Sequence, residues 1–319
     1  MDTCVRKTHL LEITLLLAMA TSAAAQTMTD PPRTPWDVPD LNGVWHIGIA
    51  TPLERPEGFA EKTHFSEAEA AAYLDGSYAR RDQVISFLDG GEEKFVGTEL
   101  WFPADLPLTE DRRTSLIYEP ANGKIPPLTE AAKLRQAAAR KRDTSPPEGP
   151  EDRPLAERCL TGFLTGPPQM TGFEYNDNLQ IFQSRNTIAI LNEMVNETRI
   201  VPLDDRPHLP ENVRQWLGNS RGHWEGGTLV VETRNFTDKT TFNGSGMNMH
   251  LTERFTRISE DVIEYDFRIE DPDSFTAPWA ARSPMRLSDL PIYEYACHED
   301  NRSMVFMLSG ARVQEAEAE

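Results

Sequence analysis

Glu253 is the side chain whose setting says most about chemistry. In the run 251–258, Leu251, Glu253, Phe255 and Arg257 alternate onto one face, and in 262–270 Ile263, Tyr265, Phe267 and Ile269 oppose Glu264, Asp266, Arg268 and Glu270. Alternation with a period of two marks the inner face of a half-buried strand. If Leu251 and Phe255 face inward, Glu253 is carried with them, and a buried carboxyl group has to be paired or has to raise its pKa. Two readings follow. As a general base or ligand anchor Glu253 would serve a pocket; as half of a structural pair it would meet an interior arginine. His250 and Arg254 fall on the opposite face in the same register.

A second group is Cys297-His298-Glu299, where His298 and Glu299 point to opposite faces unless the strand ends or bulges there. Glu253 with His298 or His250 is the catalytic set on offer, suited to proton transfer by an isomerase, lyase or hydrolase that needs no cofactor. The rival use of the same interior is binding. Trp45, Tyr265, Phe267, Tyr293 and Tyr295, with Tyr175 and Phe182, occupy inward-compatible positions on expected strands, and such rings would line a cavity for a small apolar or aromatic molecule.

Other chemistries lack their residues. The histidines beyond residue 25 are His46, His64, His208, His223, His250 and His298; none sits in HExxH or in paired spacing, so no metal site is expected. There is no GxSxG, no GxGxxG after a strand and no GxxxxGK[ST], and Ser220-Arg221-Gly222 and 243–246 read as turns. Without CxxC or CxxCH, neither thioredoxin-type redox work nor covalent haem is expected, and the sequence calls for no cofactor.

The elements that must position these groups are mostly strands. Gly43 opens the tight entry to a first strand at 44–50, with Trp45 packed inward. Runs at 179–184, 187–194 and 198–203 form a meander. Gly226-Gly227 turns a hairpin inside 224–233, a further hairpin spans 251–270, and runs at 291–298 and 304–308 read as the last strands. Such a meander has exposed edges unless it closes on itself, so a barrel is the expected solution. Between the first strand and the rest, Ser66 and Glu69 form a capping box for a helix over 66–83, and 129–142 reads as a second helix. Nine of the 24 prolines fall in 103–154, which suits an extended lid over the body.

The chain has 319 residues and a formal charge of -19, which argues against a nucleic-acid partner and against anionic lipid surfaces. The N-terminus carries Arg6 and Lys7, then the apolar run Leu10 to Met19, then Ala23-Ala24-Ala25 before Gln26. This reads as a signal peptide over 1–25, too short an apolar run for a membrane span, with the mature protein periplasmic or secreted. Cys4 would leave with it. Cys159 and Cys297 would then sit where thiols are normally oxidised; a bridge between them would stabilise by roughly 4 to 5 kcal/mol on chain-entropy grounds, and two buried free thiols are the alternative. The expected organisation is one β-barrel domain over 26–319, with a helical, proline-rich insertion at 51–158 and the main antiparallel meander at 159–312.

Several segments taken together look familiar: Asp40-Leu41-Asn42-Gly43-Val44-Trp45, Ile190-Leu191-Asn192-Glu193-Met194, Arg199-Ile200-Val201-Pro202-Leu203-Asp204, Trp224-Glu225-Gly226-Gly227-Thr228-Leu229-Val230-Val231-Glu232-Thr233 and Tyr293-Glu294-Tyr295-Ala296-Cys297-His298-Glu299. They resemble a family of exported bacterial hypothetical proteins over most of 36–312, and the resemblance implies export but no activity. The Gly-x-Trp opening also resembles that of lipocalins and related calycin barrels, which implies an antiparallel barrel with a cavity. The fold expected is therefore mainly β, a lipocalin-like barrel or meander with a helical insertion, and the function expected is small-molecule binding in its interior, with the proton-transfer enzyme as the alternative.

Overall fold

A computed structural model describes residues 30–88, 106–162, 166–170, 176–240, 242–299 and 301–318. The expected signal peptide over 1–25 and Tyr175 lie outside the described residues. The strands are β1 (Gly43–His46), β2 (Ile117–Glu119), β3 (Asn178–Gln183), β4 (Thr187–Asn192), β5 (Thr198–Pro202), β6 (Asn219–Glu225), β7 (Thr228–Arg234), β8 (His250–Arg257), β9 (Val262–Glu270) and β10 (Trp279–Ser288). Among the described residues the α-helices are α1 (Glu67–Leu88), α2 (Glu130–Thr144) and α3 (Arg302–Ala318). The fold is mainly β, one ten-stranded antiparallel sheet with the helical, proline-rich segment inserted after its first strand.

The sheet order is β5-β4-β3-β1-β10-β9-β8-β7-β6, with β2 pairing β10 to one side. Around this path neighbours in space are neighbours in sequence, and the first strand pairs with the last, as in an up-and-down barrel. The two ends, β5 and β6, also lie side by side, yet no ladder joins them. Parity explains the gap. Alternating directions along a path of nine strands leave β5 and β6 running the same way, so the antiparallel pattern cannot complete the ring.

Side chains close this seam instead. A Cβ on Gly222 of β6 would fall 2.8 Å from Leu203 Cδ2 and 2.9 Å from Val201 Cγ1, so glycine is what lets the edge of β5 come that near. Gly222→Val is expected to pry the seam open and lower unfolding free energy by about 1–3 kcal/mol. Gly58→Ala, where nothing lies within 4 Å of the added Cβ, should stay within about 0.5 kcal/mol. Urea denaturation of both variants checks this.

Alternation along the strands fills the inside of the barrel. Trp45, Phe255, Tyr265, Phe267 and Trp279 are 0–1% exposed, and the last four form a chain of edge-on or tilted contacts, as in Phe255 against Tyr265 at 5.0 Å and Phe267 against Trp279 at 5.6 Å. One end is sealed. Trp45 Nε1 donates to Leu41 O at 2.9 Å, the Arg257 guanidinium stacks 5.1 Å over the Trp45 ring and donates to Asp40 O, and Gln183 exchanges hydrogen bonds with Leu41 N and Pro39 O. Gly43 enters this end with φ 140°, and a Cβ there would lie 2.8 Å from Leu287 Cδ1, so the glycine before Trp45 is required twice over.

The helix starts match their sequence signals. Ser66 Oγ accepts from Glu69 N and Glu69 Oε2 accepts from Ser66 N, and Thr129 Oγ1 accepts from Ala132 N at the start of α2. Three expectations need correction. Residues 291–298 make no strand, and 304–308 lie inside α3, where Met304, Met307, Leu308 and Ala311 repeat at helical spacing and turn toward the body while their neighbours are exposed. Conversely β10, a central strand that carries Pro284, is not among the expected strands. Pro284 falls between the stretch of β10 paired with β2 and the stretch paired with β1, where one flank has no strand neighbour and a sheet tolerates proline.

Candidate functional site

The interior of the barrel carries one polar network. Arg199 on β5 reaches across to Glu253 on β8 and donates to both carboxylate oxygens, from Nη1 to Oε2 and from Nη2 to Oε1 at 3.0 Å. Tyr265 on β9 donates its hydroxyl to Glu253 Oε1 at 2.8 Å. The Tyr265 oxygen in turn accepts from the backbone N–H of Gln169 at 2.8 Å. Glu253 is fully buried and the Arg199 side chain is 2% exposed. Burial first, and the Glu253 charge second, push the Tyr265 hydroxyl well above its ordinary pKa, so it remains a neutral donor. With its oxygens committed to Arg199 and Tyr265, Glu253 is placed as a structural partner, the second of the two readings its alternation allowed.

The other candidate catalytic residues lie elsewhere. His250 sits on the outer face of β8 between Glu232 and Glu270, at 3.9 and 3.7 Å, with a quarter of its side chain exposed. Burial, and after it the charge of Arg234, lower its pKa. His298 is exposed beyond the last strand and lines a shallow groove of about 270 Å³ with Pro150, Arg158, Leu160, Asn301 and Met304. The structure brings neither histidine to Glu253. The expectation that Trp45, Tyr265, Phe267, Tyr293 and Tyr295 share a cavity is corrected likewise. The first three are packed into the core at 0–1% exposure, Tyr293 is 63% exposed and Tyr295 half-buried, both on the irregular segment after β10, while Phe182 is 48% exposed on an outer face.

That segment is tied to the body at three places. Cys159 and Cys297 form a disulfide with Cα atoms 5.7 Å apart, Tyr293 N donates to Glu193 Oε1 at 3.2 Å, and Asn196 Nδ2 donates to Tyr295 O at 3.3 Å. The free-thiol alternative is thereby removed. Its aromatic rings serve the surface rather than the barrel.

A cavity lies at the end of the barrel away from the Trp45 seal. It measures about 260 Å³. Ile47 and Ser283 contribute from the barrel rim, Leu53 and Leu116 from the inserted segment, Tyr73, Ser77 and Arg80 from α1, and Gln169 and Met170 from the loop before β3. Gln169 is the residue that the sequence reading missed. Its backbone is pinned to Tyr265, the residue is 1% exposed, and neither Nε2 nor Oε1 of its side chain has a hydrogen-bond partner among the described residues. Ser283, 6% exposed, leaves its Oγ in the same condition. Leaving buried groups of this kind unpaired costs about 1–3 kcal/mol each, and buried polar groups in native proteins are ordinarily satisfied. A single glutamine in a proline-rich loop carries no periodicity, so no pattern in the sequence could have singled it out.

A further buried titratable group lies near the polar network. Glu197, immediately before β5 and on the same face as Arg199, is 8% exposed, and its Oε2 has no partner among the described residues. Burial pushes its carboxyl up to about 7 against the opposing pull of the Gly162 N–H and of Arg199. A larger cleft of about 340 Å³ runs past this region along Gly162 and Gly166 to Phe242 and Met249. Its rim is charged, with Arg153 held by Glu157 at 2.8 and 3.0 Å. Among the described residues no group of His, Cys, Asp and Glu side chains is arranged to hold a metal ion, and no helix is long and apolar enough to cross a membrane. No protein-family model, no curated protein and no solved structure matches the chain, so the chemistry of the site rests on its own residues.

Proposed function

We propose that this is an exported small-molecule binding protein whose ligand occupies the cavity at the open end of the barrel, beneath the inserted segment. The observation that carries the reading is Gln169, a buried carboxamide whose two polar atoms have no partner among the described residues, at a cavity lined by polar and apolar side chains together. Concave sites where apolar side chains meet convergent polar groups are where small molecules bind. The site differs from the sequence expectation in place and polarity. The barrel interior is filled by its own aromatic rings, so binding moves to the mouth, and the ligand needs polar atoms as well as apolar surface.

Other features support the same reading. α1 lines the cavity together with Leu106 and Leu116, which belong to the proline-rich stretch 103–154 expected to act as a lid. The volume lies below the roughly 300–1,000 Å³ typical of drug-sized ligands, so the ligand is compact. The disulfide suits an oxidising compartment, in line with the signal peptide read from 1–25. The proton-transfer alternative gains no comparable support, because Glu253 is tied off by Arg199 and Tyr265 and lines none of the cavities described above.

The test is native mass spectrometry of protein purified from the exported fraction, alongside Met170→Trp, which fills the cavity. The expected result is an added mass on the wild type that disappears on denaturation and is absent from the variant. Wild-type protein that is empty, and that no compact probe stabilises more than it stabilises Met170→Trp, would overturn the proposal.

A further inference from the structure

We infer that the cavity selects an uncharged ligand presenting a hydrogen-bond donor and acceptor side by side, a lactam, imide or primary amide, on a compact body. The inference rests on the proposed binding reading and deepens it to a ligand class. Its basis is the chemistry of Gln169. A carboxamide offers one carbonyl acceptor and an NH₂ donor in a single plane, and here neither has a partner among the described residues. The best single complement of that plane is another amide in the cis arrangement, which closes two parallel N–H···O hydrogen bonds.

Ionic head groups fit less well. A carboxylate only accepts, so it would satisfy Nε2 and face Oε1 with its own charge; an ammonium only donates, and would leave Nε2 unpaired. The cavity does not compensate. It is lined by one acidic and one basic side chain, Asp177 and Arg80, which cancel in formal charge, and Asp177 has an interaction of its own. A charged ligand would be stripped of water without a dedicated counter-charge. Ser283 Oγ, also without a partner among the described residues, supplies a further contact for a second heteroatom such as the other carbonyl of an imide. Ile47, Leu53, Leu106, Leu116 and Met170 supply the apolar part of the lining, against which a ring of the ligand would pack.

Three probes of nearly the same shape separate the possibilities: carbostyril, a bicyclic lactam; naphthoate, its carboxylate counterpart; and naphthalene, the hydrocarbon. By calorimetry the wild type should bind carbostyril at least about tenfold more tightly than either of the others, and Gln169→Leu should remove that advantage while leaving naphthalene affinity unchanged. Gln169→Met, which keeps the length of the side chain, repeats the test should the leucine variant fold poorly. Equal binding of carbostyril and naphthalene, unaffected by either substitution, would overturn the head-group inference and leave the cavity as a binding site. Binding of none of the three, in wild type and Met170→Trp alike, would remove the cavity reading and the inference together.

Discussion

Glu253→Ala is expected to lower the free energy of unfolding by about 3–5 kcal/mol. The loss comes less from the attraction removed than from what is left behind. Arg199, 2% exposed in its side chain, would remain charged in the core with nothing opposite it, and its Nε already lacks a partner among the described residues. Tyr265 would also lose the acceptor of its hydroxyl. The pair itself is a weak source of net stability, since desolvating both ions offsets much of their attraction. Arg199→Met combined with Glu253→Leu should therefore recover most of the loss, leaving about 1–3 kcal/mol for the unpaired Tyr265 hydroxyl. Urea denaturation of the single and double variants decides the matter. A single variant as stable as the double one would mean that the Arg199 charge finds water, contrary to its burial.

The second large effect depends on pH. Glu197 has a carboxyl held up to about 7 by burial, against an ordinary 4.5. The folded state thus keeps a proton that the unfolded chain releases. Stability from this group is complete below pH 4.5 and is lost as pH rises through 7, a change on the order of 3 kcal/mol. Glu197→Gln imitates the protonated acid and does not titrate. It should match the wild type near pH 4 and exceed it by about 3 kcal/mol at pH 8.

Three histidines act with the opposite sign in the same profile. Burial lowers the pKa of His46, His208 and His250, so each resists protonation when folded and withdraws stability as pH falls below 6.5. Around His250 the facing charges are Arg234, Glu232, Glu270 and His208. Because these groups are common to both proteins, the difference between Glu197→Gln and wild type isolates the carboxyl. Thermal unfolding from pH 4 to 8 measures it, and a difference that does not vary with pH would refute the assignment.

What could be read from the chain and what could not divides along physical lines. The 251–258 and 262–270 runs declared their inner faces because a strand repeats every two residues and each run carries its own alternation. Ser66 with Glu69, and Thr129 before its helix, were legible because a cap is satisfied within four residues. Short range also explains the errors. The window 304–308 is too brief to separate a strand from one turn of the helix that extends to residue 318, and only the sheet order shows that Pro284 sits in β10 where one flank lacks a neighbour.

The candidate site was less legible than the fold. Glu253 could be carried inward by its alternation, but the side chain it would meet could not be named, since Arg199 lies 54 residues earlier in the chain. Gln169 stands out only once Tyr265 has been seen to hold its backbone, 96 residues apart in sequence. The cavity it lines draws on the rim of the barrel, α1 and a loop, elements whose order along the chain says nothing of their meeting.

The amino-acid sequence by itself determined the alternation of the principal hairpins, the helix starts and the oxidisable cysteine pair, since composition, periodicity and capping act locally. Tertiary structure alone decided that nine strands leave a parallel seam, that Glu253 is spent on Arg199, and that Gln169, its carboxamide without a partner among the described residues, lines a cavity at the open end. Those outcomes depend on which distant side chains share space after the chain has closed on itself. Burial then sets their hydrogen bonding and their charge, and burial is a property of the assembled sheet.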